Sequence, residues 1–229
     1  MVVPPGPVLA IDTATTEAVV ALGSADGTVI ADDAWVAGYR HGEDLMARVD
    51  ALLSSTGVSV RSLGGIVVGT GPGAFTGLRV GIATAKGLAV GLGIPLVGVP
   101  SAMALSIAAA DEEPAIAARL GAVLLPAGPS ERTLVFGGRA TRLRAGEEPE
   151  LPPGTPVVAV DLPGRAPDEA LALGASARRG FVAALVRLGV ARLEETGGDD
   201  VAALVPEYVT PPRGVLAATG EVAWSRTPG

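Results

Sequence analysis

Ile66-Val67-Val68-Gly69-Thr70-Gly71-Pro72-Gly73-Ala74-Phe75-Thr76-Gly77-Leu78-Arg79-Val80-Gly81 is the stretch on which the reading of the fold depends. Three apolar residues read as a buried strand. Val80 to Ala89 reads as a helix. Between them lies a glycine-rich turn. Gly69, Gly71, Gly73 and Gly77 permit left-handed backbone and close approach, Pro72 holds one φ angle, and Thr76 is placed to cap the helix. The first N–H groups of such a helix attract anions. The loop lacks the Gly-Lys-Ser/Thr of a Walker A motif, because Leu78-Arg79 follow Gly77. Two readings stay open: a tight strand-to-helix turn, and a phosphate or substrate cradle.

Upstream, Val8–Ile11, Ala18–Leu22 and a strand beginning at Thr28 are joined by the polar turn Asp12–Thr16 and by Ser24-Ala25-Asp26-Gly27. They predict an antiparallel meander. Leu45, Val49, Leu52 and Leu53 fall at helical spacing after His41-Gly42-Glu43-Asp44, and Gly57 closes that helix. Downstream, Pro95–Val99 reads as a strand and Ser101 as the cap of a helix to about Ala110. The order is βββαβαβα, a mixed sheet covered by helices. Asp111-Glu112-Glu113-Pro114 marks a boundary. Strands are expected at 121–126, 132–136, 140–143 and 157–161, then a helix from Asp168 to about Leu188. The expected division is 1–110, a smaller unit 111–210, and a loose tail 211–229.

Composition narrows the chemistry. The chain of 229 residues carries a formal net charge of -7, no cysteine and one histidine. An acidic protein is repelled by phosphate backbones. Disulfides, thiol catalysis and any site needing two imidazoles are excluded. Met1 to Pro7 reads as a short leader, without the basic and apolar regions of a signal peptide. Gly87 to Ala110 has no charge, but Pro95, Pro100 and several glycines interrupt it, so a membrane span is not expected. Asp12 and Thr13 sit on a hairpin able to hold Mg²⁺ through water and to bond a phosphate, although Asp and Thr are also ordinary turn residues. Arg132, Arg139, Arg142 and Arg144 read as a solvated strand face rather than an RNA contact.

Ile11-Asp12-Thr13-Ala14-Thr15, His41 before an amphipathic helix, Gly71 to Gly81, and Ala85-Lys86-Gly87-Leu88-Ala89 occur together and in this order. The combination resembles the TsaB (YeaZ) family of bacterial tRNA threonylcarbamoyladenosine biosynthesis proteins from about Val8 to Ser106. Pro206-Glu207-Tyr208-Val209 resembles a segment near the family's end, with Thr210 where an arginine would stand. The resemblance implies two related α/β subdomains of the actin-like ATPase (ribonuclease H-like) type. It also implies a non-catalytic, cytoplasmic subunit that supports a TsaD-like threonylcarbamoyl transferase beside a TsaE-like ATPase, touching tRNA only within the complex. The helices 41–55 and 76–91 would meet a partner's pair, or a second copy, through His41, Leu45, Met46, Val49, Leu52, Arg79, Ala83 and Lys86. Candidate phosphate contacts are Asp12, Thr13, Gly71, Gly73 and Thr76. No cofactor or metal of its own is expected, and ATP with Mg²⁺ would sit at the junction with the partner. The alternative is a stand-alone Mg-ATP-dependent phosphotransferase or ATPase. The family's acidic stretch at the start of the second unit is replaced here by Ala117-Ala118-Arg119-Leu120-Gly121-Ala122-Val123-Leu124.

Overall fold

A computed structural model describes residues 6–37, 41–116, 121–207 and 209, and of residues 41–43 the backbone alone. The leader at 1–5, residues 117–120, Tyr208 and the tail 211–229 lie outside the described residues, as does the side chain of His41.

The first half is built as its periodicity demands. Strands β1 (Val8–Asp12), β2 (Glu17–Gly23) and β3 (Val29–Val36) form the meander, followed by α1 (His41–Thr56), β4 (Gly65–Gly71), α2 (Phe75–Leu92), β5 (Leu96–Pro100) and α3 (Ser101–Glu112). Gly57 takes the left-handed conformation that ends α1. The sheet order is β3-β2-β1-β4-β5, with β4 parallel to both β1 and β5. Alternate residues go to opposite faces. Leu9, Ile11, Val20, Ile66 and Val68 pack beneath α1 and α2, with Leu45, Val49, Leu52, Ile82 and Ala85. Val8, Ala10, Val19, Val67 and Val97 face α3 and the last helix.

The second half holds β6 (Ala122–Pro126), β7 (Arg132–Phe136), β8 (Arg139–Leu143), β9 (Val157–Ala159) and α4 (Asp168–Thr196). Its sheet order is β8-β7-β6-β9, with β6 antiparallel to β7 and parallel to β9. These pairings repeat those of β1 to β4. Val123, Leu125, Val158 and Val160 join the core that α3 and α4 share with the first sheet. The two helices are therefore packed between the sheets.

Four expectations are corrected. The strand β4 extends through Gly71, so the turn shrinks to Pro72-Gly73-Ala74. The strand expected at 157–161 stops at Ala159, and Asp161 adopts a left-handed φ of 59°. The final helix runs on to Thr196, where Gly197 ends it in the left-handed region. Arg132 is buried, not part of the solvated face, because it occupies an inward position of β7. Beyond α4 the chain straps the edge of the first sheet: Gly98 N donates to Asp199 Oδ2 at 2.8 Å and Asp199 N to Leu96 O at 2.8 Å. The strap covers backbone groups that an edge strand otherwise leaves open.

Among the described residues no helix is long and apolar enough to cross a membrane. The uncharged stretch 87–110 is the end of α2, all of β5 and most of α3.

Candidate functional site

The glycine turn and the β1–β2 hairpin close on each other. Thr13 Oγ1 donates to Gly77 O at 2.8 Å, and Ala74 N donates to Ala14 O at 2.7 Å. A Cβ on Gly73 would lie 2.0 Å from Ala14 O, and one on Gly81 would lie 2.3 Å from Thr13 Oγ1. Glycine is needed at both positions because other chain segments occupy the space of a side chain. The hairpin fills the mouth of the turn.

Asp12 is fully buried. Ala14 N donates to its Oδ1 at 2.8 Å, and Ser101 Oγ donates to its Oδ2 at 2.5 Å. The same serine hydroxyl accepts from Gly71 N at 3.0 Å. Burial raises the Asp12 carboxyl above its ordinary range, against the opposing pull of these hydrogen bonds and of Arg178. Asp12 and Gly71 are thus brought together, but as an internal lock between β1, β4 and α3. Two capping expectations change with it. Ser101 does not cap α3; it is the first helical residue after Pro100, and its hydroxyl turns to Asp12. Thr76 does not cap α2 either. The cap position is Ala74, without a side-chain bond, because the Ala14 carbonyl already receives the Ala74 N–H. Thr76 is exposed one residue inside the helix.

The docking residues divide by burial. Leu45, Val49 and Leu52 are 1%, 2% and 6% exposed, so they belong to the core beneath the sheet and not to a surface. The expectation that they meet a partner is corrected: the apolar face of α1 is consumed by the first sheet and α2. Outward on the same helix pair stand Met46, 47% exposed, together with Ala83, Gly87 and Val90. Arg79 is exposed at the start of α2, with its guanidinium 5.1 Å from the centre of the Phe75 ring. Lys86 is half-buried and its Nζ donates to Ala202 O at 3.4 Å, which ties α2 to the strap. The outer face of α2 therefore shows small and aliphatic residues between Arg79 and Gly91, a surface another helix can approach closely.

Three groups stand outside the sequence-based expectations. Asp161 accepts from Thr16 N and Thr16 Oγ1, both at 2.7 Å, and from Arg178 Nη2, so a loop of the second half grips the first hairpin. Its signal is an Asp beyond a strand end, one of the few residue types that enter the left-handed region readily. Arg178 also lies 3.4 Å from Glu17 Oε1. Glu207, on the strap, accepts from Thr70 Oγ1 at 2.8 Å, and burial raises its carboxyl. Beside it a cavity of about 440 Å³ opens between Gly73, Leu78, Ala127 and Thr133. Among the described residues no group of three or more His, Cys, Asp or Glu side chains is placed to hold a metal.

The family model described as TsaD, tRNA N6-adenosine threonylcarbamoyltransferase, matches residues 35–131, a span containing both α1 and α2. The tRNA threonylcarbamoyladenosine biosynthesis protein TsaB of Escherichia coli (strain K12) is 39% identical over 99 residues, 43% of this chain and 42% of that protein. TsaB of Haemophilus influenzae is 33% identical over 102 residues, 44% of this chain and 42% of that protein. The alignments thus span less than half the length of these curated relatives. YeaZ from Pseudomonas aeruginosa superposes with a TM-score of 0.64 at 23% identity, covering 89% of this chain and 99% of that one. In sequence the chain resembles TsaB proteins over less than half its length, and its two-sheet α/β fold is similar to that of YeaZ.

Proposed function

We propose that the chain is a non-catalytic subunit in tRNA threonylcarbamoyladenosine biosynthesis. It docks to a TsaD-like transferase through the outer face of α1 and α2. The observation that carries the reading is that face. Met46 and Val90 are 47% and 72% exposed on neighbouring helices, flanked by Ala83 and Gly87. On α2, Val90 follows Ala83 and Gly87 at helical spacing, so small residues leave room for a partner helix beside an exposed aliphatic side chain. The resemblance to TsaB and the match to the TsaD model supply the kind of partner. A second copy of the chain would compete for the same surface.

The hairpin–glycine junction suits support rather than chemistry. Its carboxylate is buried, both of its oxygens are engaged, and the space at Gly73 is filled by the hairpin. The junction orients α2 against α1 and so shapes the docking face. ATP with Mg²⁺, if bound in the assembly, would sit where this subunit meets its partner. The test is co-purification with the cognate TsaD-like protein, followed by a tRNA modification assay with and without the chain. Full-rate modification in its absence refutes the proposal.

A further inference from the structure

We propose a second binding site, on the opposite face of the second sheet from the glycine loop, for a compact and multiply charged oxyanion. The site is a cavity of about 570 Å³ between the β6–β7 hairpin, the turn after β8 and the loop that leads into α4. Arg132 and Arg165 line it, with Ser130 and Gly146 beside them.

The charge balance carries the argument. Arg132 is 6% exposed, and its Nη1 donates to Arg165 O at 3.1 Å while its Nη2 donates to Glu147 O. The nearest carboxylate is Glu148, 3.6 Å from Nη2, and its side chain is 76% exposed. Arg165 donates to Gly128 O at 2.9 Å, Pro129 O at 3.1 Å and Asp161 O at 3.3 Å. Among the described residues Arg165 has no ion pair. Two guanidinium groups are thus held in place by carbonyl oxygens, which orient them without neutralising them. A buried cation ordinarily has an anionic partner. Here that place is filled loosely, by one exposed glutamate at the rim.

Each guanidinium has five N–H donors in a planar fork that matches phosphate or carboxylate oxygens. The N-terminal end of the 29-residue helix α4 borders the cavity through Ala166 and Pro167 and adds its positive dipole end. The first-turn acids Asp168 and Glu169 offset part of that dipole but do not line the cavity. No aromatic residue lines it, so the cavity offers no ring for a nucleobase to stack on. The fit is to a small phosphorylated compound or a polycarboxylate. Glu148 then acts as a placeholder that the incoming anion displaces.

The experiment is calorimetric titration of the full chain with pyrophosphate and, separately, with citrate at fixed ionic strength. Binding of either supports the site and tells phosphate from carboxylate chemistry. Arg165→Gln should weaken that binding at least ten-fold. Glu148→Gln should tighten it about three- to ten-fold, since it removes the competing charge and leaves the arginine anchors intact. Thermal melts followed by circular dichroism establish that each variant is folded. Should Arg165→Gln fail to fold, Glu148→Gln alone decides. No binding of either anion at millimolar concentration, or binding indifferent to Glu148→Gln, overturns the proposal.

Discussion

Leu45 and Met46 are consecutive residues of α1 with opposite surroundings, 1% and 47% exposed. That contrast makes them the sharpest probe of how the helix pair works. Leu45→Ala removes a side chain from the cluster formed with Ile11, Val20 and Val68. Large-to-small changes of this kind cost about 2–5 kcal/mol, because the cavity adds to the lost transfer energy. For a chain of this size each kcal/mol lowers the melting temperature by about 2–4 °C, so a fall of about 4–20 °C is expected. Met46→Asp removes a half-exposed side chain and should cost about 1 kcal/mol of stability, near the average for a point substitution. Its effect on association is larger. A carboxylate brought into the centre of a docking face must be desolvated. A penalty of about 1–3 kcal/mol corresponds to a complex weaker by about five- to 150-fold. The assays are thermal melting for stability and size-exclusion chromatography with the TsaD-like partner for association. If Leu45→Ala melts like the parent protein while association is lost, Leu45 faces the partner and α1 is turned the other way from the orientation described above.

Three further outcomes follow from the junction. Gly73→Ala places a Cβ 2.0 Å from Ala14 O, a backbone atom that cannot swing aside, and should lower stability by about 1–3 kcal/mol in urea unfolding; an unchanged midpoint would mean that the hairpin and turn are not in contact. Asp161→Ala removes the acceptor of Thr16 N, Thr16 Oγ1 and Arg178, at a cost of about 1–3 kcal/mol, whereas Asp161→Asn keeps an acceptor and tolerates the left-handed backbone, so it should lose less. Equal losses for the two substitutions would contradict that account. Asp12 has a raised pKa in the fold, so the folded chain holds that proton more tightly than the unfolded one, and its contribution is fullest below the unfolded pKa and declines as pH rises towards the folded pKa. Asp12→Asn removes this dependence: its stability relative to the parent should improve between pH 4 and pH 7, and parallel unfolding midpoints across that range would refute the assignment.

Much of the first half is legible in the residues because its signals are local. The meander, α1 and β4 follow from periodicity, and Gly57 ends α1 in the left-handed region as expected. The errors come from contacts between distant parts of the chain. Thr76 has the chemistry of a cap, but Ala74, held by a carbonyl from Ala14 far upstream, takes the cap position two residues earlier. Ser101 likewise has cap chemistry, and a buried aspartate claims it. Helical spacing identifies the apolar face of α1 without saying what it covers. The family resemblance carries Leu45, Val49 and Leu52 outward to a partner, whereas the sheet buries them. Arg132 misleads for a related reason. Alternation along β7 places Arg132 and Leu134 on one face and Thr133 and Val135 on the other, and an arginine gives no local sign of which face is inward.

The two halves share a strand plan, yet only one of them carries a helix pair on an outer face, and the difference lies between the third and fourth strands. In the first half that connection contains α1, which packs beside α2 on one face of the sheet. In the second half the connection from β8 to β9 has no helix. Leu151 of that loop packs instead against the cluster that contains Leu124, Leu134 and Leu162. The helix after β9 does not lie free on an outer face either. It is drawn between the sheets, where Phe181, Leu185 and Val190 share a core with both of them. Among the described residues an unpartnered helix pair therefore exists on the first half alone. The first half alone thus presents a helix pair on its surface, while the second covers its corresponding strands with a loop and buries its helix between the sheets.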